Sequence, residues 1–235
     1  MRSWRLLDHL ENGAGGAQHM EADLALLAEV VAGADPALRL YRFVPPALSL
    51  GRFQDERVVD HEVCRRLGVE VVRRPTGGKA LLHGAELTYA VAIPRPDGED
   101  GTVDGVYCVL ANALIAGLAR LGVTARVARH DGDRGAGHGA GPACITSMQG
   151  ADLRVGDRKV CGSAQLRRRG AVLQHGSILL DRLGFDETFL LVAPGDIDLR
   201  GASVTMRELG APADPHVVAG ALIEGFRETL DVDFR

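Results

Sequence analysis

The chain has 235 residues, of which 46% are apolar and 25% charged, and it carries a net charge of −4. That length and balance fit one soluble globular domain with a proper core, and the mild negative charge argues against sequence-independent nucleic-acid binding as its main task. No stretch approaches the ~20 consecutive apolar residues of a membrane-spanning helix. The opening Met1-Arg2-Ser3-Trp4-Arg5 leads into no secretory apolar run, so a cytoplasmic location without a membrane partner is expected.

In chain order, residues 4–7 read as a short strand, and glycines between 13 and 16 as a loop. Apolar positions 20, 24, 26, 27, 30 and 31 predict a helix over 20–31 closed by Gly33. Residues 38–43 alternate apolar and polar, the pattern of a half-buried strand, and Pro45-Pro46 ends it. A strand over 47–50, a short helix over 60–67 and a buried strand over 69–72 follow. The loop Arg73-Arg74-Pro75-Thr76-Gly77-Gly78-Lys79 then connects to strands at 80–82 and 87–93, with His83-Gly84 at the turn. The longest helix is expected over 103–121, followed by a strand over 123–127.

The run from His130 to Pro142 is polar and glycine-rich, too poor in apolar surface to order itself, and a mobile surface loop is expected there. Residues 151–155 and 158–166 form a hairpin about Gly156-Asp157, and 172–180 another strand. Helices are expected over 185–192, near 204–209 and over 215–230. With no internal repeat and no linker, the chain reads as a single α+β domain over 1–235, with a core at about 38–230.

Four cysteines (Cys64, Cys108, Cys144 and Cys161) have neither disulfide-framework nor zinc-knuckle spacing. The 27 basic residues include only two lysines, Lys79 and Lys159. Lysine is a compact charge on a flexible stem, whereas arginine is a planar fork, so two retained lysines either mark places where an ammonium has a task or are chance survivals. A thiolate is the nucleophilic form of cysteine, and a nearby ammonium favours it. Cys144, at the end of the glycine-rich run, and Cys161, two residues from Lys159, are both candidates on this ground.

The glycine loop lets backbone approach a ligand closely and offers N–H groups and charge to an anion or carbonyl oxygen. Its spacing matches neither a P-loop nor a dinucleotide fingerprint, and a tight strand-to-strand turn accounts for it equally well. His83 and His175 each precede a glycine beside a strand, where a structural histidine is the commoner finding. His130, His138 and Cys144 make a poor preformed metal cage on such a loop.

Four segments together carry a resemblance. These are the glycine loop continued to His83, then Glu86-Leu87-Thr88-Tyr89, then Asp157-Arg158-Lys159-Val160-Cys161-Gly162-Ser163-Ala164-Gln165, and lastly Gly170-Ala171-Val172-Leu173-Gln174-His175-Gly176-Ser177-Ile178. In that order they resemble the biotin/lipoate protein ligase superfamily, most closely the cysteine-dependent octanoyltransferases that look like lipoate ligases. The resemblance implies a mixed, partly curled β-sheet with packed helices. Only about 55 residues follow Leu180, so no C-terminal accessory domain of the ligase kind is expected.

In that class the acyl-thioester cysteine stands fifteen residues before the motif lysine, which is the separation of Cys144 from Lys159. The implied catalytic pair is therefore Cys144 and Lys159. Arg74, Thr76, Gly77, Gly78, Lys79 and His83 would wall one side of the acyl site. Gly162, Ser163, Ala164, His175 and Gly176 would wall the other. The implied reaction moves an octanoyl group from acyl carrier protein, through a Cys144 thioester, to a lysine of a lipoyl-domain protein. It requires no cofactor or metal, and no nucleic acid is a partner. An ATP-dependent lipoate ligase, octanoyl amidotransfer between lipoyl domains and a non-catalytic lipoyl-domain-binding protein are the alternatives the resemblance leaves. The arginine clusters 65–66, 73–74 and 167–169 would dock an acidic carrier, or form an ordinary solvated face. Lys79 stands where this class commonly has arginine, and Cys161 where it has alanine.

Overall fold

The computed structural model describes residues 2–128, 152–195 and 198–235. The N-terminal half runs β1 (Arg2–His9), α1 (Gly16–Val31), β2 (Ala37–Tyr41), β3 (Ala47–Leu50), α2 (His61–Arg66) and β4 (Glu70–Arg73). It continues through β5 (Leu81–His83), β6 (Glu86–Pro94), α3 (Val103–Arg120) and β7 (Arg126–Val127). The C-terminal half holds β8 (Leu153–Val155), β9 (Arg158–Arg168), β10 (Ala171–Leu179), α4 (Leu199–Ala202), α5 (Pro215–Leu230) and β11 (Val232–Phe234).

An eight-stranded sheet has the order β11-β1-β2-β6-β10-β9-β8-β7, and a smaller sheet the order β4-β3-β5. The centre of the large sheet is antiparallel, whereas β1 lies parallel to both β2 and β11. This is the expected α+β class. The packed unit extends beyond residues 38–230, because β1 and β11 join the sheet at its edge.

Helices α3 and α5 cover one face, and α1 lies on the other, between the two sheets. At the crossing of α3 and α5 the backbones nearly touch. A Cβ on Gly225 would fall 2.4 Å from the Ala113 carbonyl oxygen. By length and composition α3 could cross a membrane, but its apolar residues Val106, Leu110, Leu114 and Leu118 belong to the main core. It is a core helix.

Strand β2 departs from the half-buried expectation, since all five of its residues are buried. Leu38 and Leu40 face α3 and α5, while Ala37 and Tyr41 face α1. The polar member, Arg39, stays inside because Asp23 of α1 holds it at 2.8 Å. The helix expected over 185–192 is a single 3-10 turn, Glu187–Leu190. Beyond it Leu191 bridges to Val59, and the Val192 N–H donates to the Val58 carbonyl, so the backbone extends. Near 204–209 the expected helical piece is reduced to a turn over 206–210, in which the Leu209 N–H donates to the Thr205 and Met206 carbonyls. At its entry the Val204 N–H donates to the Lys159 carbonyl and the Met206 N–H to the Leu179 carbonyl. The expected strand over 123–127 is reduced to Arg126–Val127. Helix α4 and strand β11 carry no pattern strong enough to have been expected.

Candidate active site

A cavity of about 190 Å³ lies where the smaller sheet meets the central strands of the larger one. An apolar cavity of ~150 Å³ already admits a benzene-sized molecule, so this one has room for a short acyl chain. Its walls are mainly apolar, with Met20, Tyr41, Phe43, Leu81 and Leu179 among them.

From the glycine-loop side, Arg74, Gly77, Gly78 and His83 reach the cavity. From β9 and β10 come Lys159, Gly162, Ser163 and Ala164, with His175 and Gly176 beside them. Thr76 and Lys79 do not line it. Thr76 stands behind the wall, where its hydroxyl is 2.7 Å from His175 Nε2. Lys79 contributes its carbonyl, which accepts from Arg74 at 2.7 Å. Cys144, His130, His138 and the glycine-rich run between 130 and 142 lie outside the described residues.

Lys159 enters from the start of β9, and its ammonium sits 2.9 Å from Asp152, with both side chains almost wholly buried. The ion pair fits there because Gly162 has no side chain. A Cβ at that position would lie 2.8 Å from Lys159 Cε and 3.0 Å from Nζ. The other Asp152 oxygen accepts from the Ser163 N–H at 3.3 Å, tying the carboxylate to the neighbouring strand. Ser163 in turn shares a 2.8 Å hydrogen bond with Tyr89, which accepts from Gln174. The cavity wall thus holds a fixed ammonium with a hydrogen-bonded polar group beside it.

Cys161, the rival thiol, is fully buried. Burial pushes its thiol up to about 12, with Asp152 adding to the shift. It remains protonated near neutral pH and packs as a small apolar group.

Arg74 is buried, and its fork organises the glycine loop. Nη1 donates to the Ser49 carbonyl at 2.9 Å, and Nη2 to the Gly77 and Lys79 carbonyls at 2.9 and 2.7 Å. The sequence expectation of a docking patch at Arg73-Arg74 is corrected for Arg74, which is buried, while Arg73 is exposed. Arg73 also works locally, donating to the Gln54 carbonyl at 2.7 Å. Arg167 is occupied with the Gly101 and Thr102 carbonyls, so within that triplet Arg168 and Arg169 are the exposed members.

The two histidines sit in matching relays. His83 bridges Ser49 at 2.8 Å and Glu86 at 2.9 Å. His175 bridges Thr76 and Asp23, the latter at 2.9 Å. Asp23 also takes the Tyr41 hydroxyl at 2.9 Å. Nearby, burial and Arg39 push the His19 imidazole down to about 4, so it stays neutral. Buried polar groups are tolerated when each finds a partner, and these do.

Sequence reasoning missed Asp152 and Asp23. Asp23 had a signal. It lies three residues after Met20 and four after His19, on the buried face of α1, whereas Leu24, counted in the apolar stripe, is 38% exposed. Asp152 had none, because its pairing depends on the irregular register between β8 and β9.

The model of the lipoyl protein ligase A/B catalytic domain matches residues 16–191. The chain belongs to that family. Within the family it is similar to an octanoyltransferase LipM of Kyrpidia tusciae, 38% identical over 98% of this chain and 88% of the relative. It is also similar to an octanoyltransferase LipM of Carboxydothermus hydrogenoformans, 41% identical over 100% and 89%. Among solved structures, a bi-partite lipoate protein ligase from Thermoplasma acidophilum, studied with its E2 lipoyl domain, superposes with a TM-score of 0.72. That likeness is 25% identical and covers 100% of this chain and 86% of the other. The family fold and the segments that resembled it therefore agree.

Proposed function

We propose that this chain is an octanoyltransferase of lipoate biosynthesis that takes octanoyl from acyl carrier protein and passes it, through a thioester on Cys144, to a lysine of a lipoyl-domain protein. The acyltransferase class rests on the octanoyltransferase relatives, and a lipoyl-domain acceptor fits the family they belong to. The observation that carries the finer reading is the buried Lys159–Asp152 pair in the wall of a mainly apolar, acyl-sized cavity. Such a site favours an uncharged chain ending in a carbonyl whose oxygen becomes negative during transfer.

In the first step the Cys144 thiolate attacks the carrier thioester. A new C–S bond forms, the old C–S bond breaks, and the carrier leaves as a thiolate that takes a proton. The Lys159 ammonium stabilises the oxyanion of the tetrahedral intermediate, and Asp152 keeps that ammonium in place. In the second step the acceptor amine attacks the enzyme thioester, forming an amide and releasing Cys144. Splitting the transfer in two replaces one difficult step by two easier ones. Asp152 is eight residues after Cys144, so the chain between them spans at most ~29 Å, and a meeting of Cys144 with Lys159 is within reach.

Incubation with octanoyl-acyl carrier protein, with and without ATP, tests this. An octanoyl adduct on Cys144, formed without ATP and absent from Cys144→Ala, is expected by mass spectrometry. An adduct surviving that substitution sinks the nucleophile assignment. Activation of free octanoate or lipoate that needs ATP points to a ligase instead.

A further inference from the structure

Behind Lys159 lies a second cavity, of about 170 Å³, that shares Leu179 with the first. Its position relative to the reacting end is fixed by backbone pairing. Ser203 bridges to Lys159, and the Val204 N–H donates to the Lys159 carbonyl at 2.9 Å. The segment thus anchored supplies Leu199, Arg200 and Thr205 to the second cavity.

One group in it stands out. Glu187 is only 5% exposed, and its Oε1 has no hydrogen-bond partner among the described residues. The cations that share this lining are already engaged. Arg182 binds Glu208 at 2.7 Å, and Arg200 reaches the same carboxylate at 3.4 Å. Of the other acids, Glu86 is paired with His83, Asp181 with Arg207, and Asp186 accepts from Thr188. Among these acids Glu187 is the one with a buried carboxylate oxygen that has no hydrogen-bond partner among the described residues. Apolar groups lead to it, namely Leu183, Leu199 and Phe189, the last 62% exposed. Apolar side chains beside a buried carboxylate with one unpartnered oxygen fit an alkylammonium, a lysine side chain being the obvious case.

We propose that this second cavity admits the acceptor lysine, its aliphatic stem against Leu183, Leu199 and Phe189 and its ammonium against Glu187, and that Glu187 takes the proton the amine loses before attacking the octanoyl thioester. The inference rests on the octanoyl-transfer reading above.

The proton balance is complete. The acceptor arrives as an ammonium with an ordinary pKa of about 10.4. Glu187 carboxylate accepts one proton and frees the nitrogen lone pair. That pair forms the C–N bond, the C–S electrons return to Cys144, and the second amine proton leaves to the departing thiolate. Burial pushes the Glu187 carboxyl up to about 7; its own backbone N–H opposes this by hydrogen bonding, Asp186 adds to the rise, and Arg182 and Lys159 oppose it. Glu86, Asp181 and Arg200 are the remaining charged groups of the lining. A carboxyl near 7 is matched to proton transfer at neutral pH.

The test separates the two half-reactions in the full chain. Wild type and Glu187→Gln are loaded from octanoyl-acyl carrier protein, followed by mass spectrometry, and then mixed with a lipoyl domain. Both are expected to load at rates within about twofold. Transfer by the variant at pH 7 should be slower by about 100-fold, within the usual range for general acid–base catalysis. It should recover as pH rises and the free amine appears in solution. Hydroxylamine, neutral near pH 7, should discharge both octanoyl-enzymes equally, which a merely structural defect would not allow.

Transfer within about threefold of wild type, or an equal slowing with hydroxylamine, overturns the proposal. Phe189→Lys, at an exposed rim position, gives a second reading that does not depend on the folding of the first variant. It should raise the KM for the lipoyl domain about tenfold with loading unchanged, and an unchanged KM also overturns the proposal. If wild type does not load at all, the octanoyl-transfer reading fails and this inference with it. Normal loading with an indifferent Glu187→Gln defeats this inference alone.

Discussion

Gly162 leaves open the space that Lys159 occupies, and this single absence of a side chain places the ammonium. In Gly162→Ala the new methyl would press on Lys159 Cε and Nζ at 2.8 and 3.0 Å. Those atoms end a flexible stem, so the ammonium would move and the fold would yield little. Acyl-enzyme formation should slow by about 10- to 100-fold, below the full ~10²–10³ of a lost oxyanion donor. The thermal midpoint should drop by only a few degrees, and an unchanged loading rate would contradict this account. Lys159 was legible in the sequence as one of two lysines among 25 arginines. Asp152 was not, because an aspartate beside a strand reads as solvent-facing until the strand register aims it inward.

Between β4 and β5 the loop holds its shape through Arg74, whose two nitrogens span Ser49 of β3 and the carbonyls of Gly77 and Lys79. Gly51 packs so closely on it that a Cβ there would overlap the Gly78 carbonyl oxygen at 1.8 Å. Lysine at position 74 keeps the charge but cannot fork across both partners. Arg74→Lys should therefore cost about 2–3 kcal/mol in urea unfolding, the scale of losing one or two charged hydrogen bonds. Octanoyl loading should fall along with it. A cost below about 0.5 kcal/mol would mean that the fork is dispensable. The glycine loop was visible in the sequence as a motif, yet its Arg-Arg pair read as a docking patch. Burial of Arg74 is set by β3, a strand more than twenty residues away in the chain.

Across the whole molecule, buried carboxylates set how stability depends on pH. Burial raises Glu187 from an ordinary 4.5 to about 7 in the folded state. Between those values the unfolded chain has lost the proton and the folded chain keeps it, so folding becomes less favourable as pH rises. At ~1.4 kcal/mol per unit, wild type should lose about 3 kcal/mol from this group between pH 4.5 and 7. Glu187→Gln should lack that component. Chemical denaturation of both proteins across this window checks it, and parallel curves would refute it. Glu208 runs the opposite way, since Arg182 lowers it to about 2 and its contribution is lost as pH falls towards that value.

Patterning along the chain determined the class of fold and most of its elements, because apolar periodicity and glycine or proline breaks are local properties. Helix α5 spans the expected 215–230, and the β8–β9 hairpin turns at Gly156-Asp157 as its sequence requires. The motif segments likewise named most residues of the cavity wall. Tertiary structure alone decided the pairings: Asp152 for Lys159, Asp23 for Arg39 and His175, and Ser203 against Lys159. Charges and backbone groups find partners through space, and which partner is nearest depends on strand register and packing that no local window contains. The extended course of residues 191 and 204 has the same cause, since satisfying buried N–H and C=O groups across elements outweighs a weak local preference for helix.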